Sequence, residues 1–270
     1  MSFSPIGLIA GNGNLPLEFV RHAKENGVNE IIAVGFPETT LPEVRDSVSY
    51  FEEIGVGQLG KLIKIFKSRG VKEAVMLGGL SPKLTITNVK LDLRLLVLAA
   101  KVKDRRADSV LGAIAGELEK DGIHLADTTK YLPHLLAPEG LISKRKPVKK
   151  EWEDIHFGLK IALASGGLDI GQTAIVKKHA VVAVEAMEGT DACIKRAGKI
   201  SKGNVVVKTA KPDQDFRFDV PCVGPNTIES LIEAKASVLA VEAGKTFLIE
   251  KEEALELADK NGIAIVGVSK

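Results

Sequence analysis

The 270-residue sequence predicts an α/β protein with two domains, a Rossmann-like N-terminal domain built on a parallel sheet and a C-terminal mixed α/β domain. Two observations support this prediction. Along residues 1–131, short apolar runs alternate with amphipathic stretches, as in a parallel sheet covered by helices on both faces. A basic, proline-containing stretch at 132–152 then separates this pattern from further strands and helices at 153–270.

Elements of the first domain follow from the spacing of its apolar residues. Each predicted strand is a short apolar run, and each predicted helix repeats apolar residues every three or four positions. The predicted strands are 5–11, 30–36 and 71–79, and the predicted helices are 15–27, 57–70, 89–104 and 108–122. Because strands and helices alternate, the strands should pair in parallel.

The stretch 132–152 is predicted to be a linker, because it contains three prolines, and the segment SKRKPVKK within it carries five cations. These cations either are simply solvated, or they screen an anionic substrate or lie near an acidic lipid surface. Beyond them, a helix is predicted at 153–165, and TAIVKKHAVVAVEAM predicts two strands joined by a short turn. A helix opens at EGTDACIKRAG, and GNVVVKTA (203–210) predicts a further strand.

Residues 215–220 alternate strictly between polar and apolar side chains, which predicts a strand with Asp215, Arg217 and Asp219 in one row over an apolar underside. Two carboxylates and a guanidinium on one rigid face would suit Mg²⁺ together with a phosphate, because hard cations prefer oxygen ligands and arginine binds phosphate bidentately. The alternative is a purely structural salt bridge.

The loop AGNGNLP (10–16) lies between the first strand and the first helix, where backbone amides of Gly11, Gly13 and Asn14 could receive a phosphate. The alternative is a tight turn that only starts the helix. Pro16 occupies the place of the third glycine of a dinucleotide fingerprint, and no acidic residue ends the second strand. The sequence therefore predicts no nicotinamide or flavin cofactor.

Two further loops are candidates for binding. GGLSP (78–82), which includes Gly79, follows a predicted strand at the edge where ligands bind in open α/β sheets. In EAMEGTDACIKRAG, the carboxylates of Glu185, Glu188 and Asp191 gather near a strand-to-helix turn, where they could contact a metal ion or support its ligands. Thr190 or Asp191 would cap the helix there. A plain turn and plain capping are the alternatives at these two loops.

Composition excludes several classes of function. A net charge of +2 and 4% aromatic residues argue against nucleic-acid binding. Two cysteines cannot form a metal knuckle, and we find no signal-peptide pattern and no apolar run long enough for a membrane span. We expect a cytoplasmic protein with reduced thiols.

Three stretches, GLIAGNGNLP, LDIGQTAIVKKHAVVAVEAMEGTDACIKRAG and KPDQDFRFDVPCVGPNTIE, occur in this order and together resemble the LpxI-type UDP-2,3-diacylglucosamine pyrophosphatases of lipid A synthesis. The resemblance covers nearly the whole chain. It implies Mg²⁺-dependent hydrolysis of UDP-2,3-diacylglucosamine to UMP and 2,3-diacylglucosamine 1-phosphate, with the lipid between two domains. It also implies that the catalytic aspartate is Asp219, within RFDVP.

The reaction that the resemblance implies assigns roles to the polar residues of the alternating segment 215–220 and to their neighbours. We expect Asp219 to bind the ion or position the attacking water, and Asp215 to be its metal-binding partner. Arg217 or Lys211 would contact a phosphate, and Gln214 would hold a water or a sugar group.

The remaining expected substrate contacts come from loops. Gly11, Gly13 and Asn14 would receive the nucleotide or diphosphate, Gly79 and Thr190 would also contact substrate, and apolar surface between the domains would take the acyl chains.

The sequence departs from the family pattern at two positions. Asp108 is present, but Ser109 replaces a second acid, and Cys222 stands where threonine is common. These departures leave open a hydrolase or transferase for another nucleotide-linked substrate, or a non-catalytic nucleotide- or lipid-binding protein. Peripheral contact with the inner face of the membrane and assembly into a homodimer are also open.

Overall fold

The computed structural model describes residues 4–79, 91–102 and 107–269. Residues 80–82 of the GGLSP loop lie outside the described residues, and so does the side chain of Asp108. The ends of the helix predicted between Val89 and Asp104 also fall outside them.

Contacts divide the chain into two compact units. The N-terminal unit comprises residues 1–132 together with 215–218, and the C-terminal unit comprises 133–214 together with 219–270. The short segment 215–218 thus belongs with the first unit, although sequence reasoning placed it in the second domain.

The N-terminal unit contains a five-stranded sheet in the order β3-β2-β1-β4-β5, and all four neighbouring pairs are parallel. The predicted Rossmann-like parallel sheet is therefore confirmed. Its strands are β1 Ile6–Ala10, β2 Ile31–Gly35, β3 Tyr50–Glu53, β4 Glu73–Leu77 and β5 His124–Leu125. Its helices are α1 Leu15–Glu25, α2 Pro42–Ser47, α3 Leu59–Ser68, α4 Leu93–Lys101 and α5 Ala107–Lys120.

Burial explains why the central strands are so apolar. All five residues of β2 are buried, as expected for a parallel strand covered on both faces. Because β2 flanks β1 on one side and β4 flanks it on the other, the strand order reverses beside β1. Ligands of open α/β sheets bind at the carboxyl ends of strands at such a reversal, so this edge is where the N-terminal unit is expected to carry a site.

The C-terminal unit contains a six-stranded mixed sheet in the order β6-β13-β11-β9-β7-β8, as predicted for a mixed α/β domain. Strands β9, β11 and β13 are parallel, whereas β6, β7 and β8 pair antiparallel with their neighbours. These strands are β6 Gly140–Leu141, β7 Thr173–Lys177, β8 Ala180–Val184, β9 Val205–Lys208, β11 Val238–Glu242 and β13 Ala264–Val268, and a separate pair is β10 Cys222–Val223 with β12 Phe247–Leu248. The helices are α6 Lys149–Gly167, α7 Thr190–Ile200, α8 Pro225–Ala234 and α9 Lys251–Lys260. Within the described ranges, we find no helix with the length and apolar character needed to span a bilayer.

Helices cover both faces of this mixed sheet. Along β9, Val205 and Val207 lie in the cluster that contains Ile155 of α6, whereas Val206 lies in the cluster that contains residues of α7, α8 and α9. Alternation along a strand therefore sorts the side chains of β9 between two cores.

The hairpin between β7 and β8 confirms the predicted pair of strands. Its turn residues Lys178 and His179 both have positive φ, of 51° and 59°, which marks a type I′ turn. Neither is the glycine or asparagine usual there. Buried Asp154 of α6 instead stabilises the turn, because its carboxylate accepts the Lys178 and His179 amides at 2.9 and 2.7 Å.

The predicted linker 132–152 differs from a bare connection between domains. It forms β6, which pairs with β13, and it enters α6 at Lys149. Arg145 forms a two-bond ion pair with Glu151 at 2.7 and 2.9 Å and donates to the Ser237 carbonyl. The cations that suggested a solvated linker are thus partly used inside the C-terminal unit.

The strand predicted at 215–220 is wrong, because this segment forms turns. The Asp215 carboxylate accepts the backbone N–H of Arg217 at 3.1 Å, and Phe218 N–H bonds to the Asp215 carbonyl at 3.3 Å. Aspartate side chains favour such local turns over strands. The Phe216 carbonyl accepts both the N–H and the hydroxyl of Thr128, which holds the segment on the N-terminal unit.

Gly198 sets the close packing of α7 against α8, and we expect Gly198→Ala to destabilise the protein by about 1–3 kcal/mol through overpacking. A Cβ there would lie 2.5 Å from the Ala234 Cα. Gly116→Ala in α5 is the matched control, because a Cβ at Gly116 meets nothing within 4 Å. It should be neutral or stabilise by up to about 1 kcal/mol. Denaturant unfolding of both variants checks this, and equal effects of the two would contradict it.

Candidate functional site

Two loops meet at the carboxyl ends of β1 and β4 in the N-terminal unit. Gly11 N–H donates to the Leu77 carbonyl, and Asn12 N–H donates to the Gly79 carbonyl, both at 2.8 Å. The Asn12 side-chain oxygen accepts the Gly79 N–H, also at 2.8 Å. The predicted glycine loops, 10–16 and the described part of 78–82, are therefore joined at the strand-order reversal.

Glycines are required here because the two backbones approach closely. A Cβ at Gly11 would lie 2.4 Å from the Gly79 carbonyl oxygen, and a Cβ at Gly78 would lie 2.2 Å from the Asn12 carbonyl oxygen. Gly13 has a φ of 78° and open space around it, so its glycine serves the turn. Gly13 and Asn14 are exposed just before α1, and their expected contact with substrate stays a prediction.

An apolar cavity of about 460 Å³ opens beside these loops within the N-terminal unit. Its walls come from β1, β4, α3, α4, α5, the residue that follows β2, the loop between β3 and α3, and the segment 215–218. Gly11, Gly78 and Gly79 form one side, and Gln58 contributes a polar group. The principal apolar lining residues are Phe36, Ile54, Leu62, Met76, Ile114 and Phe218. Sequence reasoning found the glycines of this cavity but missed its walls, because they come from many segments that are far apart in the sequence.

Asp215 and Arg217 form an ion pair within the segment 215–218. The Arg217 Nε lies 2.9 Å from Asp215 Oδ1, and its Nη2 lies 2.6 Å from Oδ2. These hydrogen bonds hold the pKa of the Asp215 carboxyl below its ordinary value, although partial burial opposes them. The structural salt bridge that sequence analysis left open is therefore present.

Asp219, Gln214 and Lys211 come together in the C-terminal unit. Gln214 Nε2 donates to Asp219 Oδ2 at 2.5 Å and to the Asp219 carbonyl at 2.9 Å, while its Oε1 accepts the Lys211 N–H at 3.0 Å. The Lys211 ammonium lies 2.7 Å from Asp169 Oδ1. Gln214 thus fixes the orientation of the Asp219 carboxylate.

A buried polar cluster lies at the carboxyl end of β9, and we call Lys208, Thr190 and Glu185 the β9 cluster. Lys208 and Glu185 are only 6% and 9% exposed. Lys208 Nζ donates to Thr190 Oγ1 at 2.8 Å, and Thr190 Oγ1 donates to Glu185 Oε1 at 3.0 Å. Sequence analysis singled out Thr190 but missed Lys208, although a lysine that closes the apolar run VVVK was a visible signal.

Thr190 therefore does not cap α7, and neither does Asp191. The N-cap is Gly189, with no side-chain hydrogen bond, so the predicted capping is wrong.

Glu188 forms an ion pair with Arg196. Among the described residues, no group of three or more His, Cys, Asp or Glu is placed to hold a metal ion, and this includes the carboxylates near this turn.

Comparison with known proteins agrees with this two-part architecture. A model of the LpxI N-terminal domain matches residues 5–135, and a model of the LpxI C-terminal domain matches residues 138–266. The UDP-2,3-diacylglucosamine pyrophosphatase LpxI of Caulobacter vibrioides (strain CB 15) is 29% identical over 282 aligned residues, which cover 97% of each chain. The chain therefore belongs to the LpxI family.

Proposed function

We propose that this protein hydrolyses the pyrophosphate bond of UDP-2,3-diacylglucosamine, releasing UMP and 2,3-diacylglucosamine 1-phosphate, as a step of lipid A biosynthesis. The observation that carries the proposal is the likeness to the C. vibrioides protein of that name, which extends over 97% of both chains and so includes both units. The reaction needs a binding place for acyl chains, a way to neutralise the diphosphate, and a group that orients a water.

The cavity of the N-terminal unit suits an acyl chain of the substrate. Its volume of about 460 Å³ falls within the range of about 300–1,000 Å³ that is usual for small-molecule sites. Its walls are apolar, and each buried methylene contributes about 0.8 kcal/mol. Gly13 and Asn14 are exposed at the same sheet edge, just before α1, where the polar part of the molecule would meet the N-terminus of the helix.

Asp219 is the group that we assign to the attacking water. Gln214 occupies one carboxylate oxygen of Asp219 and holds the side chain in one orientation. The other oxygen would accept a proton from the water and aim it at phosphorus, which is the role of a general base in phosphoryl transfer.

These residues could hold Mg²⁺ only together with the phosphates of the substrate. Because no cage of three acidic or histidine ligands exists among the described residues, a site made by protein alone is not supported. Mg²⁺ is commonly held by one or two carboxylates together with substrate phosphates. Asp219 would supply such a carboxylate as an alternative to its role towards the water, whereas Asp215 is already bound by Arg217. When bound, the ion would neutralise charge on the phosphoryl oxygens.

The two cations expected to contact phosphate are each engaged with an acid. Nε and Nη2 of Arg217 bind Asp215, and the Lys211 ammonium binds Asp169. A phosphate contact by Arg217 would therefore use Nη1, and one by Lys211 would share its ammonium with Asp169.

The reaction itself can be tested with purified protein and UDP-2,3-diacylglucosamine, by following UMP with and without EDTA. We expect UMP only when Mg²⁺ is present, and no turnover of UDP-N-acetylglucosamine, which lacks the acyl chains. Comparable release from both compounds would indicate another nucleotide-linked substrate, and no release from either would contradict the proposal. Turnover in ¹⁸O-labelled water would show which phosphorus is attacked.

Asp219→Asn should lower kcat by at least about 10²-fold with little change in KM, because the substitution keeps the shape but removes the proton acceptor. Asp213→Asn is the control, since Asp213 is exposed on the same segment. It should behave like the wild type. Turnover and thermal melting are measured on each preparation. A kcat for Asp219→Asn near the wild-type value, with a lowered melting temperature, would make Asp219 a structural residue.

Ile114→Phe should narrow the cavity and lower kcat/KM for long-chain substrates by about 10-fold, because an acyl chain that loses about two buried methylenes loses about 1.6 kcal/mol. Ile114→Val, which enlarges the space slightly, is the control. The measurement is a series of substrates with acyl chains of decreasing length. The same loss at every chain length would place the acyl chains elsewhere.

A further inference from the structure

Lys208 carries a positive charge into the interior of the C-terminal unit. It is 6% exposed, and buried lysines are normally paired because an isolated buried ammonium is costly. Its Nζ donates to the Thr190 hydroxyl. In the part of the chain that the structure describes, no carboxylate oxygen lies within 4.0 Å of this ammonium.

The position of Lys208 on β9 determines where its ammonium points. Val206, two residues earlier, faces the core formed with α7 and α8, whereas Val207 faces α6. Lys208 therefore lies on the α7 and α8 face, at the carboxyl end of a strand that pairs parallel with β11 and antiparallel with β7. Its bond to Thr190 places the ammonium at the first residue of α7, an 11-residue helix.

The hydrogen-bond directions leave the ammonium with unused donors. A hydroxyl has one proton, and Thr190 gives its proton to Glu185, so towards Lys208 it can only accept. The ammonium has three N–H groups and uses one of them here. Glu185 thus holds Thr190, and Thr190 holds Lys208, without placing a carboxylate on the ammonium.

Lys208 and the candidate catalytic aspartate, Asp219, both act on the Cys222 thiol. Burial raises the pKa of the Cys222 thiol to about 11, Lys208 acts to lower it, and Asp219 acts to raise it. Lys208 and Asp219 therefore both lie close enough to Cys222 to affect the pKa of its thiol. A helix N-terminus adds a partial positive charge on the side of Thr190.

Building on the function proposed above, we infer that Lys208 binds a phosphoryl group of the diphosphate substrate, with Thr190 and Glu185 as the residues that position its ammonium. An anion suits this place, because the ammonium has unused donors beside a helix N-terminus and bonds to no carboxylate among the described residues. Glu185 and Asp191 lie at the same end of α7, but the Glu185 carboxylate accepts from Thr190 and not from Lys208. Lys211 fits this role less well because its ammonium already lies 2.7 Å from Asp169.

Lys208→Met separates this role from a structural one. Methionine is of similar length and apolar, and replacing a buried charge with an apolar side chain is often neutral or stabilising. We expect an unchanged or raised melting temperature, with the affinity for UDP in the presence of EDTA weakened about 10- to 100-fold, as expected for the loss of a hydrogen bond to a charged group. The measurement is calorimetric titration with UDP. Lys199→Met, at an exposed position in the last turn of α7, is the matched control.

Thr190→Val provides a second variant that keeps the test decisive if Lys208→Met does not fold. Loss of the hydroxyl should weaken UDP binding, and Lys208→Arg should recover part of the affinity lost in Lys208→Met. Wild-type affinity for UDP in folded Lys208→Met, or no measurable affinity in the wild type, would overturn the inference.

Turnover is recorded in parallel: wild-type hydrolysis with normal UDP binding by Lys208→Met would reject the site but not the reaction. Loss of UDP binding in a protein that does not hydrolyse the lipid substrate would support the site and reject the reaction.

Discussion

The close approach of two backbones at the carboxyl ends of β1 and β4 is the constraint on which the N-terminal unit depends. A side chain at Gly11 or Gly78 would overlap the facing backbone, so the hydrogen bonds that join the two loops exist only with glycine there. Joined loops give the cavity a wall of main chain. Parallel pairing places this wall at the strand-order reversal, where α/β sheets bind ligands.

The charged side chains that the C-terminal unit buries include Asp154 and Lys208, and their hydrogen-bond partners indicate a structural role for the first and a binding role for the second. Asp154 is 5% exposed, and its carboxylate accepts two backbone N–H groups of a turn that lacks glycine. That charge is fully explained by the fold. Lys208 is buried to a similar degree, yet among the described residues its ammonium bonds to one hydroxyl, that of Thr190. A buried ammonium that bonds to no carboxylate directly has donors left for a ligand of opposite charge.

Regular elements were predictable because their signals are local. Strand β2 and helix α1 begin and end within two residues of their predicted bounds, since buried runs and helical spacing are continuous over them. The structure of residues 215–220 was not predictable in this way. Their alternation over six residues indicated a strand, but the Asp215 side chain bonds to the backbone of Arg217 and stabilises a turn instead. At the site, glycines mark the correct sheet edge. The role of Lys208 could not be predicted, because it depends on the hydrogen bond to Thr190, which lies 18 residues away in the sequence.

The segment 215–218 makes the N-terminal unit discontinuous in sequence. Thr128 gives its N–H and its hydroxyl to the Phe216 carbonyl, and Phe218 lines the cavity. A fragment that ends at residue 132 would therefore leave two donors of Thr128 without this acceptor, and Thr128 is 1% exposed. Its cavity would also lack a wall. Composition marks residues 132–152 as a boundary between domains, but hydrogen bonding shows that the first unit requires four residues from beyond it.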